Sequence, residues 1–137
     1  MAQAIINFGE HQDRIIYFDK MQHDCLYPIL ENAKACVMPS RTENFSNTCI
    51  EAMAHKKIVI GTKPFFNQII EDGKNGFLCE AKDPESLNAA IDKIMNLSDN
   101  ELDTMEKNAY SIISRLEPDK IANQLLLYYD YVIKNWK

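Results

Sequence analysis

Four short apolar runs, Arg14–Phe18, Ala35–Pro39, Ile58–Thr62 and Gly76–Cys79, are separated by stretches whose apolar residues recur every three to four positions. No other feature constrains the fold as strongly, because this alternation is the pattern of βα units around a parallel sheet and not of a sandwich or a bundle. Each run is four or five residues long and lacks strict in–out alternation, as expected of strands covered by helices on both faces. Four parallel strands are therefore expected. Cys25–Ala33, Ser46–His55 and Phe66–Glu71 carry the helical spacing between them and are read as crossover helices. Asp83-Pro84-Glu85 places a capping Asp and a first-turn Pro ahead of a stripe formed by Leu87, Ala90, Ile91, Ile94 and Met95. A helix of about three turns is expected there. Ser98 or Asp99 caps a further amphipathic run through Ile113, and a break near Glu117-Pro118 precedes a final helix from Asp119 to Trp136. Ala2–Phe8 reads as the last turns of a helix ended by Gly9.

Composition narrows the function classes. The 137 residues suit one domain, and 46% hydrophobic with 26% charged residues is an ordinary folded composition. With 15 basic against 20 acidic residues the net charge is −5, which leaves no basic excess to hold a polyanion, so no nucleic acid partner is expected. No run of 18 apolar residues occurs, and Met1–Ile6 has neither the charged nor the cleavable part of a leader, so neither a transmembrane segment nor secretion is expected. Cys25, Cys36, Cys49 and Cys79 form no close pair and suit a reducing, cytoplasmic setting. The final helix is rich in aromatic residues (Tyr128, Tyr129, Tyr131, Trp136), which are expected to cover the chain's own sheet; the alternative is packing on more protein.

The segment from Pro39 to Ala54, with sequence Pro-Ser-Arg-Thr-Glu-Asn-Phe-Ser-Asn-Thr-Cys-Ile-Glu-Ala-Met-Ala, follows an apolar strand and runs into an amphipathic helix. Its polar residues therefore fall at the carboxyl edge of a parallel sheet, where ligands bind in doubly wound folds. Ser46, Asn47 and Thr48 fall where unpaired backbone N–H groups and the helix dipole favour an anion such as a diphosphate. Ser46 or Asn47 reads equally as a plain helix cap. Glu43 precedes the helix and Glu51 lies about one and a half turns inside it, so the two carboxylates stand at different depths and do not form an acid–base dyad. Such carboxylates suit hydrogen bonds from sugar hydroxyls, each worth roughly 1.5–3 kcal/mol when the acceptor is charged.

Glu43 and Glu51, seven residues between them, with Pro39-Ser40 ahead and Ala52-Met53-Ala54 behind, resemble the donor-site motif of retaining GT-B glycosyltransferases, the glycosyltransferase family 4-like proteins (glycosyl transferases group 1). Arg14–Phe18 and Ile58–Thr62 resemble the family's flanking strands, and Glu71 to Leu78 its Asp-Gly-x-x-Gly turn. The resemblance implies an α/β, Rossmann-like parallel sheet with flanking helices, part of the C-terminal half of a GT-B fold. It implies that residues 1–137 form a single, truncated nucleotide-sugar-binding domain without the N-terminal acceptor domain of the same parent. The implied reaction moves a sugar from a nucleoside diphosphate sugar to an acceptor hydroxyl with retention, as in polysaccharide or glycoconjugate biosynthesis. Glu43 would act as the catalytic-site carboxylate on the transferred sugar, Asn44, Phe45, Ser46, Asn47 and Thr48 would line sugar and diphosphate, and Glu51 would hold the ribose.

This sequence departs from the family's pattern at several positions. Lys56 stands where a Gly usually supplies a left-handed helix end, which implies a different cap or mild strain. Ile58 replaces a Pro, Asp19 replaces the Gly after the first strand, and Lys63-Pro64-Phe65-Phe66-Asn67-Gln68 replaces a Gly-Gly loop near the donor. The family's first two βα units, with their basic diphosphate grip, have no counterpart, so turnover by the chain alone is not expected. The first strand is expected to lack its neighbours, leaving a sheet edge prone to self-association.

No cofactor and no metal is expected: His11, His23 and His55 share no ligand spacing with Cys, Asp or Glu. Ser40 has no nearby His to serve as its base, and Asp72-Gly73 and Asn75-Gly76 read as turns without chemistry. The expected location is cytoplasmic, or peripheral at the inner membrane face in the parent. A non-catalytic Rossmann-like nucleotide-binding or assembly module and a sugar-nucleotide epimerase fragment are the alternative readings.

Overall fold

The computed structural model describes residues 13–136. In chain order these form α1 (His23–Asn32), β1 (Ala35–Met38), α2 (Asn47–Ala54), β2 (Ile58–Thr62), β3 (Gly76–Cys79), α3 (Pro84–Met95), α4 (Asp99–Ile113) and α5 (Pro118–Asn135). The sheet is parallel throughout, in the order β1-β2-β3, with Ala35 opposite Ile58 and Val59 opposite Gly76. This is the expected α/β, Rossmann-like arrangement, with three strands among the described residues in place of the four anticipated.

The missing strand is Arg14–Phe18. It has the composition of a strand but lies outside the sheet with every residue exposed. A parallel strand is stabilised only by a neighbour that completes its ladder, and no described strand stands beyond β1 to receive it. β1 is consequently an edge, and its Val37 stays 44% exposed. The helix expected over Phe66–Glu71 is also absent. Lys63–Ile69 forms consecutive turns, started by Phe66 N–H donating to the Thr62 carbonyl, because a helix there would carry Phe66 off the strand it packs against. The Ala2–Phe8 helix lies outside the described residues.

β2 is buried along its whole length and divides the core in two. On one face Val59 joins Cys49, Ala52 and Met53 of α2, Phe66, Ile69 and Ile70 of the turn segment and Ala109 of α4. On the other, Ile58 and Ile60 join Phe77 and Cys79 of β3, Ala90 and Ile94 of α3 and Met105 of α4. The two-residue period of a strand produces this division. Gly61 is required by it: a Cβ there would stand 2.4 Å from Cγ of the Phe66 ring, so only glycine lets that ring lie on the strand.

Side-chain capping fixes the helix starts where the sequence places them. Ser46, Asp83 and Ser98 cap α2, α3 and α4, and Ser98 with Glu101 forms a reciprocal capping box. The end of α2 keeps the left-handed turn without a glycine. Lys56 has φ 58°, and Lys57 N–H and Lys56 N–H donate to the carbonyls of Ala52 and Met53, a Schellman closure carried by a lysine.

The aromatic α5 does not cover the sheet. None of its residues is buried, and Ile133 and Trp136 remain 74% and 81% exposed. Both faces of β2 are already filled by α2, α4, α3 and the turn segment, which leaves α5 no place against that strand.

Candidate functional site

The carboxyl ends of all three strands open on the same edge of the sheet, and the loop from Pro39 to Phe45 leaves β1 there before entering α2. The loop is tied to β2, since the Thr62 hydroxyl donates to the Ser40 carbonyl at 2.5 Å. Ser46 closes it. It is buried in an extended conformation, and its Oγ accepts the Cys49 N–H at 3.3 Å. That bond satisfies the third amide of α2. Those of Asn47 and Thr48 precede it, make no hydrogen bond among the described residues, and belong to exposed residues. Ser46 is therefore a cap, and the two amides ahead of Cys49 remain open to an anion at the positive end of the helix. The two readings of this segment are compatible.

Glu43 is half-buried at the end of the loop, and its Oε1 accepts the N–H of Asn44 at 3.2 Å. Glu51 is half-buried in the second turn of α2. Phe45 stands 46% exposed between them in sequence. The Cys49 thiol beneath is pushed up to about 12 by burial first, then by the neighbouring Cys36 and Glu43. It stays protonated at neutral pH and serves as packing, not as a nucleophile.

Alongside this loop lies a cleft of about 390 Å³, bounded by Pro39, Arg41, Thr62, Cys79 and the Glu80–Pro84 turn that leads into α3. Glu43, the Ser46–Thr48 segment and Glu51 do not line it. Sequence reasoning saw only a helix start at Asp83-Pro84 and missed that this turn faces the loop after β1. The available signal was positional, since the end of β3 must share an edge with the ends of β1 and β2 in a parallel sheet.

The segment between β2 and β3 is structural. The Asp72 carboxylate accepts the Leu78 N–H at 2.8 Å, Gly73 takes φ 77°, and buried Asn75 bonds both Glu71 N–H and the Ile69 carbonyl. These residues shape the turn, as their types predict. Among the described residues no group of three His, Cys, Asp or Glu side chains is placed to hold a metal ion, and no helix is long and apolar enough to cross a membrane.

Comparison with known proteins agrees with this fold. The sequence profile of the family described as glycosyl transferases group 1 matches residues 3–112. An uncharacterized glycosyltransferase of Methanocaldococcus jannaschii is 41% identical over 66 residues, 47% of this chain and 18% of that protein. Sucrose-phosphate synthase from Thermosynechococcus elongatus superposes with a TM-score of 0.75 at 26% identity, over 90% of this chain and 31% of that one. The C-terminal domain of a group 1 glycosyl transferase, LpcC, from Francisella tularensis superposes at 0.62 with 26% identity, over 72% of this chain and 50% of that one. Anabaena HepE, solved with UDP, shares the fold at a TM-score of 0.62 and 23% identity, over 71% of this chain and 28% of that one. The chain thus spans a third or less of most of these proteins, and it belongs to the glycosyl transferases group 1 family of GT-B glycosyltransferases.

Proposed function

We propose that residues 1–137 act as the donor-binding part of a retaining hexosyltransferase that moves a sugar from a nucleoside diphosphate sugar to an acceptor hydroxyl, in polysaccharide or glycoconjugate biosynthesis. The observation that carries this reading is the Ser46-capped start of α2, which leaves the amides of two exposed residues, Asn47 and Thr48, unpaired among the described residues at the carboxyl edge of the sheet, a few positions after Glu43. A diphosphate leaving group gains negative charge as the sugar departs, and amides fixed at a helix start stabilise that charge without reorganising. No metal or cofactor is needed in this scheme.

In the proposed division of roles, Glu43 accepts hydrogen bonds from hydroxyls of the transferred sugar at the reacting end. Asn44, Phe45 and Ser46 line the sugar, and Asn47 and Thr48 meet the diphosphate. Glu51, a turn and a half deeper, accepts from the ribose. The acceptor site and a basic grip on the diphosphate would come from a parent protein, cytoplasmic or at the inner membrane face, so the chain alone would bind donor without turning it over.

The test is an amide NMR titration with UDP, GDP, ADP and their glucose or mannose conjugates. Selective shifts from Glu43 to Glu51 with one nucleotide are expected. Glu51→Ala should weaken nucleotide and nucleotide sugar alike by about tenfold, the worth of one charged hydrogen bond. Glu43→Ala should weaken only the sugar conjugate. Equal losses in both variants for both ligands contradict the division of roles.

A further inference from the structure

The cleft beside the Pro39–Phe45 loop has no part in the donor scheme, and its charges are unevenly committed. Two acidic groups line it, and both are engaged: Glu80 Oε1 holds Lys63 Nζ at 3.0 Å, and Asp83 Oδ1 accepts the N–H groups of Glu85 and Ser86 at 3.0 and 3.1 Å. Two cations, Arg41 and Lys82, also line it, and neither makes an ion pair or a side-chain hydrogen bond among the described residues. They come from different elements, the loop after β1 and the turn after β3. Lys82 sits in the exposed turn with φ 61°, in the left-handed region that few residues other than glycine adopt. Pro39, Pro84 and Leu87 give the same cleft an apolar wall. Its size of about 390 Å³ is within the range of small-molecule sites.

We propose that this cleft is a subsite for an anionic sugar, with the ring on the apolar wall and its carboxylate or phosphate held by Arg41 and Lys82. A guanidinium offers paired donors to either group, and an ammonium adds a point charge. The subsite extends the transferase reading, on which it rests for the ligand being a sugar: it lies across the same loop from the donor residues, where an acidic acceptor would sit. Arg41 and Lys82 are then specificity-determining residues for a negatively charged substrate.

The experiment is an amide NMR titration of this chain at fixed ionic strength with glucuronate, glucose 6-phosphate, glucose and inorganic phosphate, beside a parallel titration with UDP. Glucuronate or glucose 6-phosphate should shift residues 39–41 and 80–87 and bind at least about tenfold more tightly than glucose. Which of the two binds identifies the anion as carboxylate or phosphate. Arg41→Gln and Lys82→Gln should each cost about tenfold for the charged sugar and leave UDP affinity unchanged, and Lys82→Arg should retain most of the binding. Charged sugars bound no better than glucose overturn the proposal. So does inorganic phosphate bound as tightly as glucose 6-phosphate with no glucuronate binding, or a charged sugar whose affinity neither Gln variant changes. The UDP arm separates the two ideas: UDP shifts at Glu43–Glu51 without charged-sugar binding sink only the subsite, and the reverse pattern sinks only the donor site.

Discussion

β2 and α5 are both apolar segments, and they meet opposite fates. β2 is five residues long and wholly buried, packed by α2 and the turn segment on one side and by α3 with residues of β3 on the other, while α4 reaches both clusters through Ala109 and Met105. α5 is 18 residues long, carries Ile121, Leu125 and Tyr128 on one stripe and Leu126, Tyr129 and Ile133 on the next, and buries none of them. The hydrophobic effect rewards apolar area only when a complementary surface removes it from water. β2 has such surfaces within the chain, and α5 does not among the described residues. Arg14–Phe18 shares the condition of α5: strand-like in sequence, exposed in the fold. Composition therefore ranks which segments seek burial, and the tertiary structure decides which obtain it.

The comparison breaks most visibly at Gly61. Gly61→Ala should destabilise by about 2–3 kcal/mol, because the new methyl meets the Phe66 ring and both core faces are close-packed. A urea midpoint unchanged from the wild type would mean that the ring is not seated on β2. At the exposed end of α2, Lys56→Gly should stabilise by about 0.5 kcal/mol: relief of the left-handed lysine exceeds loss of its contact with the Tyr110 ring, 5.8 Å away. A lower melting temperature would show that the lysine is better tolerated than its φ suggests.

The capping box of α4 sharpens the comparison through pH. Hydrogen bonds from the Ser98 hydroxyl and backbone N–H hold the Glu101 carboxyl below its ordinary value of 4.5. A lowered folded pKa contributes stability that is present above the unfolded value and lost as pH falls through the folded one. Glu101→Gln should therefore flatten the acid side of the stability profile below pH 4.5 and leave that profile's shape above pH 6 unchanged. Parallel acid limbs in the two proteins would remove Glu101 from the account. The smallest effect is expected on α5. Leu126→Asp with Ile133→Asp should change unfolding stability by less than about 0.5 kcal/mol per site, since neither side chain is buried. A larger loss would show that the helix is covered in solution, and sedimentation of the same variant would tell whether a second copy covers it.

Much of the local structure around the candidate site was legible because its signals are local. Ser46, Asp83-Pro84 and Ser98 act through hydrogen bonds that span three residues or fewer, and the Asp72-Gly73 turn likewise closes within a few positions. Lys56 in a glycine's place announced a strained helix end, and its φ confirms that the turn was kept at the lysine's expense. The Phe66–Glu71 segment misled, because its apolar spacing suits a helix equally well. Only the ring of Phe66 lying on Gly61 selects turns instead.

The start of each capped helix, the three strands that pair and the loop that carries Glu43 were legible in the sequence alone, since each is marked by residues a few positions apart. The tertiary structure decided what depends on distant partners. It left Arg14–Phe18 without a ladder, left α5 without a surface, and brought Arg41 to one cleft with Lys82 across the ends of three strands. Those outcomes follow from which apolar faces find a complement and which backbone edges find a pair, and no local stretch of sequence contains that information.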